Sequence, residues 1–325
     1  MRKFFVKTLI FLCPFAVLLG CFERGLSSVE NTYTFKKQLL ESKSSDLQVL
    51  VLGSSHSYHG INPQRFSEKA FNMAMLSQDY YYDCQLLSAY LDRMPNLKLV
   101  LIEVSYFRLY NRLVDSPEYW RAFYYKQFFN IPSNKLILNY DPRSFSLFAL
   151  YGNRDSLHFA LRRFKVKQVA PVNECGWVPY PNQYVQRHLT MAGSQARVAL
   201  HHSGMKEENF AVVEPLLESM LAKLQARHIK CALITPPVTH FYSDRVKPEK
   251  YRTMQTTVQR LSRRYGASYF NYMYDRRFRE SDFGDYDHLR AEGAAKFSAI
   301  LKDEIVVPHL HIKMVRRVFS RMTTF

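Results

Sequence analysis

Cysteine is scarce and scattered. Its five occurrences in 325 residues (Cys13, Cys21, Cys84, Cys175, Cys231) are too few and too far apart for a disulfide framework, and two fall in the N-terminal segment. No CxxC or Cys/His spacing suggests a zinc site, and Cys84 and Cys231 stand in apolar-patterned stretches as core thiols. Acid is also in short supply. The chain carries 28 Asp and Glu against 45 Lys and Arg, a formal charge of +17, which points to an anionic partner such as a membrane surface or an acidic polymer. Nucleic acid is excluded as a partner, because the sequence has no basic recognition helix, no finger and no RNP-like aromatic strand. There is no internal repeat. The length and the 47% hydrophobic content fit one main domain with an elaborated insertion.

One long apolar run is present, at the N-terminus. Arg2, Lys3 and Lys7 precede the run at 8–22, and the flank from Glu23 onward is less basic. That is the layout of a signal anchor with its start left inside and the rest exported. A bilayer span needs ~20 apolar residues, and counting from Phe4 with Lys7 snorkelling approaches that length. Residues 1–25 therefore read as an uncleaved anchor, with a lipoprotein signal at Cys21 as the alternative, and 26–45 as a polar linker.

Beyond the linker, apolar runs alternate with helical patterns. Strands are expected at 47–52, 70–75, 97–104, 229–235 and 268–272, and helices at 79–94, 207–227, 248–265 and 291–302. This alternation predicts an α/β domain over 46–303 in which a parallel sheet of about five strands lies between helical layers. Residues 105–204 interrupt it. They are rich in Tyr, Phe and Arg without a clean period, and they read as an insertion of short helices capping the site. Residues 304–325 form a basic C-terminal tail, to lie on a membrane or stand as a solvated end.

Two blocks carry chemistry. The strand at 47–52 stops at Gly53 and is followed at once by Ser54 and Ser55, which places a hydroxyl above the carboxyl end of a strand, where open parallel sheets bind ligands. Near the C-terminus stand Asp285 and His288. A histidine base needs a carboxylate that holds its ring in the correct tautomer, and a three-residue separation lets one loop deliver both groups. Asp287 is expected to point elsewhere and to cap the following helix. His56 and His59 flank the serine block as further site candidates, and Asn72 ends an apolar strand as a buried hydrogen-bonding residue. His201/His202 and His309/His311 lack partnering Cys or carboxylate patterns, so no metal site is expected.

Gly53-Ser54-Ser55 resembles the Gly-Asp-Ser block of the SGNH (GDSL-like) hydrolase superfamily, and Asp285 to His288 resembles its Asp-x-x-His block, in the family's order. Thr235-Pro236-Pro237 also resembles a strand end of that family. The resemblance spans about 47–106 and 207–302 and is closest in style to DltD-type and polysaccharide-locus membrane-anchored proteins. It implies a flavodoxin-like three-layer αβα sandwich, with Ser55 as nucleophile, His288 as base, Asp285 as its orienter and no cofactor. It further implies an extracytoplasmic serine esterase or O-acyltransferase acting on an anionic cell-envelope glycan or lipid-linked polymer, beside a membrane-bound acyltransferase. Ser77 stands where the superfamily has an oxyanion-binding Gly, and Glu103-Val104-Ser105 replaces its Gly-x-Asn-Asp. Ser77, Asn72, His56 and Ser54 are the candidates to bind the oxyanion or substrate in their place. Since one lost oxyanion donor typically costs on the order of 100-fold, a non-catalytic scaffold assisting an acyltransferase or polysaccharide export is the alternative.

Overall fold

The computed structural model describes residues 1–152, 171–186 and 188–310. Five short strands, β1 (Val49–Leu52), β2 (Ala70–Asn72), β3 (Leu99–Glu103), β4 (Lys230–Thr235) and β5 (Ser268–Asn271), form one parallel sheet in the order β2-β1-β3-β4-β5. The continuous apolar runs are explained by burial on both faces. Alternate residues serve opposite cores: Leu50, Leu52, Val100, Ile102 and Leu233 face one layer, while Val49, Val51, Leu99, Leu101, Ala232 and Ile234 face the other.

The elements around the sheet are α1 (Arg2–Ser27), α2 (Thr32–Lys43), α3 (Ser55–Gly60), α4 (Tyr80–Tyr90), α5 (Arg121–Phe129), α6 (Leu147–Tyr151), α7 (Met191–Ser203), α8 (Glu207–Ala226), α9 (His240–Ser243), α10 (Pro248–Tyr265) and α11 (Ala291–Leu301). Helices α2, α4, α8 and α10 cover the first face through Leu40, Leu87, Leu217 and Val258. Helix α11 covers the second through Ala294, Phe297 and Leu301. This is the expected αβα sandwich.

Two expectations change. The polar stretch at 26–45 is largely helical rather than a linker: Asn31 caps α2 through Tyr33 and Thr34 N–H, and Tyr33, Lys36 and Leu40 turn inward. These three, spaced three and four apart, make one inward stripe, in which the buried Lys36 ammonium donates to the Ala74 carbonyl. At the N-terminus, α1 continues past the apolar run to Ser27, and its most apolar stretch, with mean hydropathy 2.2, is wholly exposed. Such a helix has the length and composition of a membrane anchor or signal. Of the basic tail, the part beyond 310 lies outside the described residues.

Candidate active site

The sheet order reverses between β1 and β3, since β2 lies outside β1 while β4 and β5 follow β3. The crevice at the carboxyl ends of these two strands is where open α/β sheets hold ligands. At the end of β1, Gly53 adopts φ 154°, and a Cβ there would lie 2.7 Å from Glu103 and from Ser57 Oγ. Only glycine fits this turn. It delivers Ser54 as the cap and Ser55 as the first residue of α3. The Glu103 carboxylate, at the end of β3, accepts the N–H of Ser54 (2.8 Å), the N–H of Ser57 (3.0 Å) and the Ser54 hydroxyl (2.5 Å). From behind, the Asn72 amide donates to the carbonyls of Ser57 and Ile61, each at 2.7 Å, and its oxygen accepts from Ala74 N–H. The serine turn is thus fixed from both neighbouring strands.

The second block is a closed loop. Phe283 and Leu289 pair across its neck, and Gly284 N–H donates to the His288 carbonyl at 2.8 Å. Within it, Asp285 Oδ1 accepts the N–H of Asp287 (3.0 Å) and of His288 (2.7 Å), a local turn typical of aspartate. Asp285 Oδ2 lies 2.8 Å from His288 Nδ1, and His288 Nε2 lies 2.8 Å from Ser55 Oγ. With a carboxylate on Nδ1, that nitrogen carries the proton and Nε2 is left to accept from the serine hydroxyl. Burial would raise the Asp285 pKa, yet the His288 ring and Arg197 hold it below the ordinary carboxylate value.

A row of buried charges runs beside this chain. Asp287 does not cap α11, whose first flanking residue is Arg290. Its buried carboxylate instead lies 3.0 Å from His56 Nε2 and accepts from Arg197 Nε (2.7 Å) and Nη2 (3.1 Å). His56 Nδ1 is 3.5 Å from Glu103, whose carbonyl accepts from Arg108, itself paired with Asp83 at 2.5 Å. Charges therefore alternate from Asp83 through Arg108, Glu103, His56 and Asp287 to Arg197. Pairing is what makes such burial tolerable. Burial alone would push the His56 pKa down, but Asp287 and Glu103 raise it to about 9, so the ring is a cation at neutral pH. It stacks on His288 at 5.1 Å and 23°.

The insertion supplies the opposite wall. Tyr180 stacks on His288 at 5.7 Å and donates to Asp285 Oδ2 at 3.1 Å. Arg197, on α7, brings its Nη2 to 3.5 Å from His288 Nε2. His59 meets the same ring edge-on and donates from Nδ1 to the Val178 carbonyl, and burial lowers its pKa to about 3.

The structure brings together Ser55, His288 and Asp285, with His56 and His59 against them. It removes three candidates from direct contact with a substrate. Asn72 is fully buried with both amide hydrogens committed to backbone, so it positions the turn. The N–H and hydroxyl of Ser54 are spent on Glu103. His56 is buried between two carboxylates. Ser77 adopts φ 56°, the left-handed conformation natural to a glycine, and its hydroxyl donates to Glu118. Four contributors were missed: Glu103, Asp287, Tyr180 and Arg197. A signal existed only for Glu103, the lone charge ending an otherwise apolar strand.

His56, Asp287 and His288 set three potential ligand atoms within 4.8 Å of one another. Within the protein these atoms already have partners: Arg197 on the Asp287 carboxylate, Asp287 on His56, and Asp285 and Ser55 on the two ring nitrogens of His288. Fold and site together define an α/β protein with a serine, a histidine and an aspartate in hydrogen-bonded series at the switch point of a parallel sheet.

No family model matches the sequence, and no curated protein matches it. Among solved structures it is similar to a candidate acylhydrolase of Bacteroides fragilis, at 10% identity and a TM-score of 0.42 over 85% of this chain and 95% of that one. It is also similar to a candidate platelet activating factor from Streptococcus pneumonia (12%, 0.40, 89% and 98%) and to a GDSL-like lipase of Bacteroides thetaiotaomicron (10%, 0.38, 85% and 99%). With all three scores below 0.5, the reading of the site rests on its own geometry.

Proposed function

We propose that this chain is a membrane-tethered serine esterase or O-acyltransferase of SGNH type, acting outside the cytoplasm on an acyl ester of an anionic cell-envelope glycan or lipid-linked polymer. The observation that carries the chemistry is the pair of 2.8 Å contacts running from Ser55 Oγ through His288 to Asp285. In this reading His288 Nε2 takes the hydroxyl proton as Ser55 Oγ attacks the ester carbonyl, and the Nδ1–H bond to Asp285 stabilises the imidazolium that results. The tetrahedral intermediate collapses to an acyl-enzyme as His288 returns the proton to the leaving alcohol. Water, or a sugar hydroxyl deprotonated by the same ring, then releases the acyl group.

The developing oxyanion falls to two groups. Ser54 and Ser57 N–H are engaged by Glu103, which leaves the N–H of Ser55 in the open first turn of α3. Arg197, beside His288 Nε2, adds a positive charge in place of the Asn of the resembled superfamily. The anchor-like α1 and the +17 charge support a membrane-bound setting and an anionic substrate. The test is labelling with a fluorophosphonate, which reacts only with an activated serine. The wild-type chain should label and Ser55→Ala should not; an unlabelled wild type, or a variant that labels equally, rejects the enzyme.

A further inference from the structure

Among the exposed apolar side chains of the insertion, one group is contiguous. Leu136 (69% exposed), Ile137 (67%) and Tyr140 (71%) stand on the 3-10 turn Leu136–Tyr140, Phe145 (67%) directly follows the turn Pro142–Ser144, and Phe148 comes next on α6. Isolated exposed hydrophobes are ordinary, but a run of aliphatic and aromatic groups projecting from short turns marks a contact surface.

What it contacts is set by its neighbour. The outer end of α1 is bolted to this same part of the fold: the Glu23 carboxylate accepts the N–H groups of Leu147 (2.8 Å) and Phe148 (3.1 Å) and the Ser146 hydroxyl, closing the first turn of α6. Phe22 meets Phe148 edge-on at 5.6 Å, and Leu26 is buried with Leu147 and Tyr151. The patch therefore sits where α1, if it spans a bilayer, leaves it. Its composition suits that depth, since Tyr and Phe favour the membrane interface, Lys135 borders the patch with positive charge, and the one carboxylate within it, Asp141, is neutralised by Arg143 at 2.7 Å.

We propose that residues 136–148 form a second membrane contact, an apolar foot seated in the interfacial layer of the bilayer that holds α1, so that the α/β domain rides at a fixed height and tilt. The proposal rests on the anchor reading of α1 and is independent of the chemistry at Ser55.

The test uses the full chain in vesicles of phosphatidylethanolamine and phosphatidylglycerol, with an environment-sensitive dye on single accessible cysteines, Cys84, Cys175 and Cys231 being buried. Native Cys13, in a Cys21→Ser chain, reports on α1. Ile137→Cys and Phe145→Cys, in a Cys13→Ser/Cys21→Ser chain, report on the foot, and Val212→Cys on α8 serves as reference. The quenchers are lipid-borne nitroxide and aqueous iodide. For a foot ~5–10 Å into the interface, nitroxide should quench positions 13, 137 and 145 several-fold more than position 212, with iodide excluded from the first three. Quenching at 13 with 137 and 145 open to iodide overturns the foot and leaves the anchor standing. Shielding of 137 and 145 from both quenchers identifies a protein contact and also overturns it. If nitroxide fails to reach Cys13, the anchor reading falls and the foot with it.

Discussion

At the scale of single residues, two carboxylates compete for one imidazole, and distance separates their roles. Asp285 lies 2.8 Å from His288 Nδ1, whereas the nearest oxygen of Asp287 is 3.6 Å away and is occupied by Arg197. Asp285→Asn, nearly isosteric, should therefore lower kcat on a generic acetyl ester by roughly 1,000-fold or more through the wrong tautomer, with little change in KM. Asp287→Asn should act chiefly on stability, because it strands the Arg197 cation while His56 keeps Glu103; breaking one partner of a buried pair costs about 3–5 kcal/mol. Urea denaturation together with ester kinetics checks both. Equal kinetic losses would mean that the carboxylates share the imidazole.

The buried histidines also make stability depend on pH, in opposite senses. His56 is raised to about 9 from 6.5, so its contribution is complete below pH 6.5 and is lost as pH rises toward 9, by roughly 3 kcal/mol in all. His59 and His201, lowered by burial to about 3, act in the opposite sense: the unfolded chain takes up their protons below pH 6.5 while the folded one does not, so stability falls as pH drops. Buried Lys36, held well below its ordinary pKa by burial, opposes His56 above pH 6.5, so the ring itself is the readout: followed by NMR, His56 should titrate near 9. A midpoint near the ordinary histidine value would show that His56 is not held as a cation.

At the scale of elements, the turn from β1 into α3 depends on one glycine. Gly53→Ala pushes a methyl against Glu103 and Ser57 and forces φ 154° on a side chain that resists it. A loss of about 2–4 kcal/mol is expected, and fluorophosphonate labelling should slow with it because Ser55 moves with the turn. A variant as stable and as reactive as wild type would mean that the strand end relaxes freely. This turn was readable in advance, since a leucine and valine run ending abruptly at Gly-Ser-Ser has few structural solutions. The strands and long helices were readable for the same reason: two-faced burial writes continuous apolar runs, and amphipathic packing writes a 3.6-residue period. Short 3-10 turns write neither, which is why short helices were expected in the insertion but their bounds were not legible. Asp287, Tyr180 and Arg197 were illegible for another reason: their partners are set by tertiary contact, with Arg197 and Asp287 ninety residues apart in the chain.

At the scale of the whole molecule, the insertion completes the site it covers. The sheet domain alone supplies Ser55, His288, Asp285 and two buried carboxylates; α7 adds the cation that both balances Asp287 and stands beside His288 Nε2. Those two duties are separable. Arg197→Met should cost about 3–5 kcal/mol, from the uncompensated Asp287, and about 100-fold in kcat/KM, from the missing positive charge. In Arg197→Met/Asp287→Asn both charges go, leaving His56 balanced by Glu103, so stability should largely return. Activity should not, because no cation remains to meet the oxyanion. Recovery of activity along with stability in the double variant would reduce Arg197 to a structural clasp and assign the oxyanion to backbone N–H groups alone.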